Sequence, residues 1–193
     1  MKKATIKNSR DWQNQWYDTE STGGRFERHD ALFRNWITRD GEPGPTGIGG
    51  FNAEAGRYHL FISLACPWAH RTLILRKLKG LEDMITVSNS KPYMGPDSWT
   101  FEPEAGRIFS GEGDDDEYIE YLYELYRLVD PDYDDRATVP VLWDKQRQTI
   151  VSNESAEIVR MFNSEFNDAG GDSSRDFYPD PLRKDIDALN EWI

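Results

Sequence analysis

Apolar residues along this chain form short runs that predict alternating strands and helices. Residues 58–64 are rich in aromatic and β-branched side chains, which is typical of a buried strand. Pro67 follows, and because proline suits the first position of a helix, we expect a helix that continues over residues 69–79. Residues 84–88 predict a second strand, so this region forms a strand–helix–strand unit with parallel pairing.

The alternation continues in the second half of the chain. After the acidic run 114–117, apolar residues recur every three or four positions, so we expect a helix that begins at these carboxylates. Residues 138–144 and 149–151 predict a hairpin with its turn at 145–148. A third helix is expected over residues 153–162. The order strand, helix, strand, helix, strand, strand, helix is that of a thioredoxin-like α/β domain.

Four regions fall outside this regular pattern. Residues 1–51 have no clear period, and we interpret them as an N-terminal extension whose aromatic side chains pack on the domain that spans residues 52–166. Residues 91–113 form an irregular insert that is expected to lie over a site. Residues 167–180 predict a linker, and the apolar stripe of residues 181–193 predicts the first helix of a second, all-α domain. The aromatic residues of the extension are Trp12, Trp16, Phe26, Phe33 and Trp36.

The charge balance narrows the classes of partner. The chain has 35 acidic and 23 basic residues and a net charge of -12, which argues against nucleic acid and against an anionic membrane surface. Its single cysteine excludes an intramolecular disulfide framework, and no apolar run is long enough to span a membrane. We therefore expect a cytoplasmic protein.

No metal site is expected from the sequence. His29, His59 and His70 do not follow the spacing of metal ligands, and four adjacent acids at 114–117 cannot all face one ion from a helix. We expect His59 to be structural and His70 to be a packed or surface residue.

Cys66 is the strongest candidate for chemistry because it lies at the predicted junction of strand and helix. Free N–H groups and the positive end of the helix dipole favour the thiolate over the thiol at such a position. A lone free cysteine can also be a small, inert, buried residue. The proline that follows Cys66 favours the nucleophile.

A second candidate site lies at the start of the third predicted helix. The hydroxyl and N–H groups of Ser152, Asn153, Glu154 and Ser155 could hold a carboxylate. Ordinary helix capping by Ser152 or Asn153 explains the same residues equally well. The sequence pattern leaves both alternatives open.

Several segments together resemble the glutathionyl-hydroquinone reductases, which are xi-class relatives of the glutathione transferases, and more loosely the omega class. The resemblance implies a thioredoxin-like N-terminal domain followed by an all-α glutathione-transferase C-terminal domain. It also implies a cis peptide bond between Val139 and Pro140. The matching segments are residues 65–72, 95–101, 136–144 and 150–158.

The resemblance implies a two-step reaction at Cys66. The thiol attacks the sulfur of a glutathionyl-hydroquinone, releases the hydroquinone and leaves a cysteine–glutathione mixed disulfide, which a second glutathione resolves. Glutathione is then a co-substrate, no metal is needed, and the full-length protein is expected to be a homodimer.

The same resemblance assigns the residues that bind glutathione. Glu154 and Ser155 hold the γ-glutamyl end, and the backbone of Val139 pairs with the cysteinyl unit. Trp99 and Arg136 line the rest of the tripeptide.

Two other functions are compatible with the sequence. An omega-like thiol transferase or dehydroascorbate reductase would use the same chemistry at Cys66 with a less selective pocket. A non-catalytic thioredoxin-like interaction module would carry an inert thiol and use its aromatic extension to bind a partner. The three functions differ in whether Cys66 reacts and in which substrates it accepts.

Overall fold

The computed structural model describes residues 1–6, 12, 19–25, 30–108 and 117–192. This part of the chain contains seven strands and four α-helices. The strands are β1 (Lys2–Lys3), β2 (Tyr58–Ile62), β3 (Ile85–Asn89), β4 (Arg107–Ile108), β5 (Glu117–Tyr118), β6 (Val141–Asp144) and β7 (Thr149–Ser152). The helices are α1 (Pro67–Leu78), α2 (Leu122–Val129), α3 (Ser155–Ser164) and α4 (Arg183–Trp192).

A four-stranded mixed sheet in the order β3-β2-β6-β7 forms the centre of the fold. Strand β2 runs parallel to β3 and antiparallel to β6, and β6 is antiparallel to β7. Every residue of β2 is buried, which explains its continuous apolar and aromatic character. Helix α1 packs against α3, and both α2 and α3 contact β7. The predicted thioredoxin-like α/β fold is confirmed.

The predicted start of α2 is wrong. Residues 114–116 lie outside the described residues, and Glu117–Tyr118 form β5, which pairs with β1 and β4. The helix begins only at Leu122, because the Glu124 carboxylate accepts hydrogen bonds from the N–H groups of Glu120 and Tyr121, at 2.7 and 3.0 Å. A glutamate in the first turn therefore fixes the start of α2, not the acidic run.

The described residues of the extension pack closely on the domain. Trp12 stacks on Tyr123 with ring centroids 4.8 Å apart. The N–H of Asn35 donates to the carbonyl of Val151 at 2.9 Å, so the extension covers the outer edge of β7. Trp16 and Phe26 lie outside the described residues. An exposed strand edge favours unwanted pairing with other chains, and this segment covers part of it.

The region after α3 is held to the domain by polar contacts. The Lys79 ammonium donates to the carbonyls of Asp172 and Arg175, both at 2.5 Å. Further on, the guanidinium groups of Arg160 and Arg183 both contact the Tyr178 ring. Helix α4 follows and has no buried residue, and no helix in the described ranges is long and apolar enough to cross a membrane.

Two buried polar groups stabilise β2 and its neighbours. Arg57, just before β2, forms an ion pair with Asp144 at the end of β6, with 2.6 Å between Nη2 and Oδ2. The His59 ring lies between the hydroxyls of Thr86 at 2.7 Å and Ser88 at 2.8 Å. Burial lowers the pKa of His59 to about 3, so the ring is neutral in the folded protein.

Replacing Asp144 should strongly destabilise the fold. Asp144 is 0% exposed, so Asp144→Ala leaves the Arg57 charge buried without its main partner. The expected cost is about 3–5 kcal/mol of unfolding free energy, measured by urea denaturation. Asp168→Ala is the matched control, because Asp168 pairs with Arg39 at the surface and should cost less than about 1 kcal/mol. Equal losses in the two variants would contradict the structural role of the buried pair.

The stability of the fold should fall between pH 7 and pH 5 because of His59. The unfolded histidine takes up a proton below its usual pKa of about 6.5, whereas the buried ring stays neutral down to about pH 3. The unfolding free energy should therefore drop by about 2 kcal/mol over this range. His59→Gln should remove most of this pH dependence in denaturation at the two pH values. His70→Gln, at an exposed position on α1, should leave the dependence in place.

Candidate functional site

Cys66 lies at the N-terminus of α1, as predicted. It is the N-cap residue, with extended backbone angles, and Pro67 takes the first helical position. Its N–H donates to the carbonyl of Ser63 at 3.0 Å, and its own carbonyl accepts from the N–H of His70 at 2.9 Å. These bonds fix the backbone and leave the side chain half-buried, with Sγ 3.6 Å from the carbonyl oxygen of Val139.

Val139 reaches the thiol because of the sheet topology. β2 and β6 are antiparallel, with Phe61 opposite Val141, so the segment that follows β2 and the segment that precedes β6 lie at the same end of the sheet. The bond between Val139 and Pro140 is cis, as the resemblance implied. β6 begins only at Val141, so the backbone just before it lies outside the ladder of the central sheet.

Glu154 caps α3, which corrects the alternative that Ser152 or Asn153 does so. Its carboxylate accepts from the N–H of Ala156 at 3.0 Å, while the Ser152 hydroxyl accepts from the N–H of Glu154 at 3.1 Å. The Arg71 guanidinium donates to the Ser155 hydroxyl at 2.6 Å and lies 3.8 Å from the Glu154 carboxylate. Helix capping and a positive charge therefore occur together at this turn.

One cleft connects these parts of the molecule. It is lined by three of the predicted glutathione-binding residues, Arg136, Val139 and Ser155. Cys66 lies beside it, because its thiol contacts the carbonyl of Val139. Trp68, from the first turn of α1, forms another part of the wall. The predicted catalytic residue and three of the five predicted binding residues thus lie around a common opening.

Trp99 and Glu154 are not among the residues that line this cleft. Trp99 is half-buried against the core, and its carbonyl accepts from the N–H of Leu122 at 2.9 Å, at the start of α2. Glu154 directs its carboxylate toward Ala156 and Arg71. Their predicted contact with glutathione would therefore require a ligand that extends beyond the cleft as it stands.

The cleft also contains residues that sequence reasoning missed. Asp30 and Leu32 of the extension line it, and so does Asp135. Arg71 was part of a matching segment but had no assigned role. Its sequence signal is that residues 67–78 contain three cationic residues, Arg71, Arg76 and Lys77, and no acidic residue.

The charges of the cleft suit a ligand that carries both signs. The Arg136 guanidinium in the cleft, and the Arg71 guanidinium bound to its lining residue Ser155, can bind carboxylates, whereas Asp30 and Asp135 can accept from an ammonium group. The Tyr133 hydroxyl donates to the carbonyl of Arg136 at 2.7 Å, and burial raises the pKa of Tyr133, which keeps it protonated. A short peptide with free α-amino and carboxylate groups matches this arrangement.

Two of the three histidines lie in the part of the chain that the structure describes. His59 is bound by two hydroxyls on β3, as a structural residue would be, and His70 is exposed on α1. His29 lies outside the described residues. Among the residues that the structure describes, no group of histidine, cysteine and acidic side chains could hold a metal ion.

The chain is similar in sequence to glutathionyl-hydroquinone reductase YqjG of Escherichia coli K12. The two are 59% identical over 183 residues, which make up 94% of this chain and 54% of that protein. Glutathionyl-hydroquinone reductase PcpF of Sphingobium chlorophenolicum is 45% identical over 182 residues, or 94% of this chain and 53% of that protein. The chain thus spans about half the length of the curated relatives it matches.

The fold is similar as well. The glutathione-bound structure of YqjG from Escherichia coli K-12 matches with a TM-score of 0.75 at 58% identity, over 84% of this chain and 51% of that chain. The resemblance to glutathionyl-hydroquinone reductases that the sequence suggested is confirmed. Residues 65–165 match the family model described as the N-terminal domain of glutathione S-transferase, and they include the thiol, the cis-proline segment and the start of α3. By this match the chain belongs to the glutathione S-transferase family.

Proposed function

We propose that this chain is the glutathione-binding part of an enzyme that reduces glutathionyl-hydroquinones to hydroquinones. The observation that carries the proposal is the 59% identity, over 94% of the chain, with a protein named for this activity. The geometry supports it, because the chain's one cysteine lies at a helix N-terminus beside a cleft whose charges suit a peptide.

The reaction consists of two successive thiolate attacks on sulfur. The Cys66 thiolate attacks the glutathione sulfur of the conjugate, so a sulfur–sulfur bond forms, the carbon–sulfur bond breaks, and the aromatic carbon takes up a proton. A second glutathione thiolate then attacks the mixed disulfide, which restores Cys66 and gives glutathione disulfide. The aromatic ring is reduced by two electrons, and the two glutathione sulfurs supply them.

Each binding residue takes a part of the tripeptide in this proposal. Ser155 and Glu154 hold the γ-glutamyl end, where the positive end of the α3 dipole and the adjacent Arg71 favour a carboxylate. The backbone of Val139 pairs with the cysteinyl unit, which brings the ligand sulfur toward Cys66. Arg136 and Trp99 line the remainder, with Trp99 reached only by the part of the ligand that leaves the cleft.

The proposal extends to the full-length protein, which we expect to be a cytoplasmic homodimer that uses glutathione and no metal. The net charge of -12 supports a small-molecule substrate over nucleic acid or an anionic membrane surface. An omega-like thiol transferase would use the same first step. It differs in accepting a generic glutathione mixed disulfide as readily as a glutathionyl-hydroquinone.

Mass spectrometry of the intact chain should reveal the first step. After incubation with glutathionyl-menadiol, we expect one glutathione adduct, located on Cys66, together with free menadiol. Addition of reduced glutathione should remove the adduct, because the second thiol resolves the mixed disulfide. Cys66→Ser should form no adduct and release no menadiol.

The controls of this experiment separate the alternatives. The mixed disulfide of glutathione and 2-mercaptoethanol serves as the generic substrate, and an adduct that forms from it at least as fast as from glutathionyl-menadiol favours the omega-like transferase. Iodoacetamide tests whether the thiol reacts at all. A thiol that iodoacetamide alkylates, but that forms no adduct here or in a chain extended to the length of YqjG, would rule out the reductase.

A further inference from the structure

Asn153 is a buried residue that connects the segments around the cleft. It is 8% exposed, and its N–H donates to the carbonyl of Phe33 at 3.0 Å. Its side-chain oxygen accepts from the N–H of Phe33 at 3.2 Å. Its side-chain nitrogen donates to the Tyr126 hydroxyl at 3.1 Å and lies 3.4 Å from the Thr138 hydroxyl. Both the oxygen and the nitrogen of the side-chain amide are therefore hydrogen-bonded.

These bonds join two backbone segments to which the proposed ligand would bind. Asn153 directly precedes Glu154 and Ser155, and Thr138 directly precedes Val139. The Tyr126 hydroxyl completes the connection, since it donates to the carbonyl of Thr138 at 2.7 Å. Burial raises the pKa of Tyr126 to about 12, so this hydroxyl keeps its proton.

The same amide also holds the extension against the cleft. One backbone bond and one bond to the Asn153 side chain join Asn153 to Phe33, just after Asp30 and Leu32, which line the cleft. Beyond this link, the Arg34 guanidinium binds the Glu157 carboxylate on α3, with 2.9 Å between Nε and Oε1. The wall formed by the extension therefore depends on its attachment at Asn153.

We propose that Asn153 is a positioning residue for glutathione, which holds the Val139 segment, the Ser155 turn and the wall at Asp30 and Leu32 at the spacing that the tripeptide spans. This inference rests on the proposed function. Asn153 itself lines the cleft, whereas Tyr126 is not among its lining residues. A ligand that binds to Val139 and Ser155 at once is sensitive to the distance between them, so a loosened spacing, as in Tyr126→Phe, weakens binding even though no lining residue has changed.

The test compares Asn153→Leu with Asn163→Leu in the whole chain. Both asparagines are buried, and Asn163, which is 6% exposed, also joins separate segments through its bonds to Asp176 and the N–H of Phe177. Asn163 does not line the cleft, so it controls for a general loss of stability. The probe is S-methylglutathione, whose capped sulfur cannot react, and its affinity is measured by calorimetry at 15 °C.

Asn153→Leu should weaken the binding of S-methylglutathione by about tenfold, because the freed amide partners no longer hold the two segments. The affinity of Asn163→Leu for S-methylglutathione should stay within about twofold of that of the original chain. Its unfolding midpoint should nevertheless fall by about as much as that of Asn153→Leu. The rate at which iodoacetamide alkylates Cys66 should be the same in all three proteins. A merely structural role would lower the unfolding midpoints and leave the affinities equal.

Tyr126→Phe keeps the proposal testable if Asn153→Leu does not fold. It removes only the hydroxyl between Asn153 and Thr138, and it should weaken the binding of S-methylglutathione by about threefold. The inference is overturned if the folded Asn153→Leu and Tyr126→Phe variants bind S-methylglutathione within about twofold of the original chain. It is also overturned if Asn163→Leu loses as much affinity as Asn153→Leu. If the original chain does not bind S-methylglutathione at all, the proposed function itself fails.

Discussion

At the centre of the sheet β2 runs antiparallel to β6 with Phe61 opposite Val141, and the site depends on this register. It brings the segment after β2 to the segment before β6, so the Cys66 thiol meets the Val139 carbonyl. The buried pair of Arg57 and Asp144 lies at the other end of the same two strands. A shift of one residue would separate these charges and turn every apolar side chain of β6 to the opposite face. The ion pair thus contributes to the geometry of the thiol site from the far end of the sheet.

The edge strand β7 shows a second link between stability and the site. The extension covers this edge through Asn35 and Phe33, which satisfies backbone groups that another chain could otherwise pair with. Because Ser155 begins the helix directly after β7, the same covering segment also becomes a wall of the cleft. Protection of the edge and enclosure of the proposed ligand therefore come from one stretch of backbone.

Local patterns in the sequence predicted much of the fold and part of the site. The strands around Tyr58 and Ile85 and the hairpin are short apolar runs, in which β-branched and aromatic residues are frequent, and the proline after Cys66 marks the helix start. The two-residue strands β4 and β5 have no period to detect, so Glu117 was assigned to a helix. Arg71 and Ser155 are 84 positions apart, and the link between Asn153 and Phe33 spans 120, so only the tertiary fold brings them together.

Because the whole molecule is strongly acidic, binding of the proposed ligand depends on the few cations that the fold fixes at the cleft. A net charge of -12 repels an anionic peptide at a distance, although salt limits this repulsion to about 8 Å at physiological ionic strength. Attraction must then come from cations in the cleft and beside it. The Arg71 guanidinium is fixed by the Ser155 hydroxyl, and Arg136 is held near Asp135 beside the Tyr133 hydroxyl. Cationic side chains that are already fixed lose little entropy when a ligand binds. A strongly acidic protein can therefore still select a ligand by binding the ligand's carboxylates.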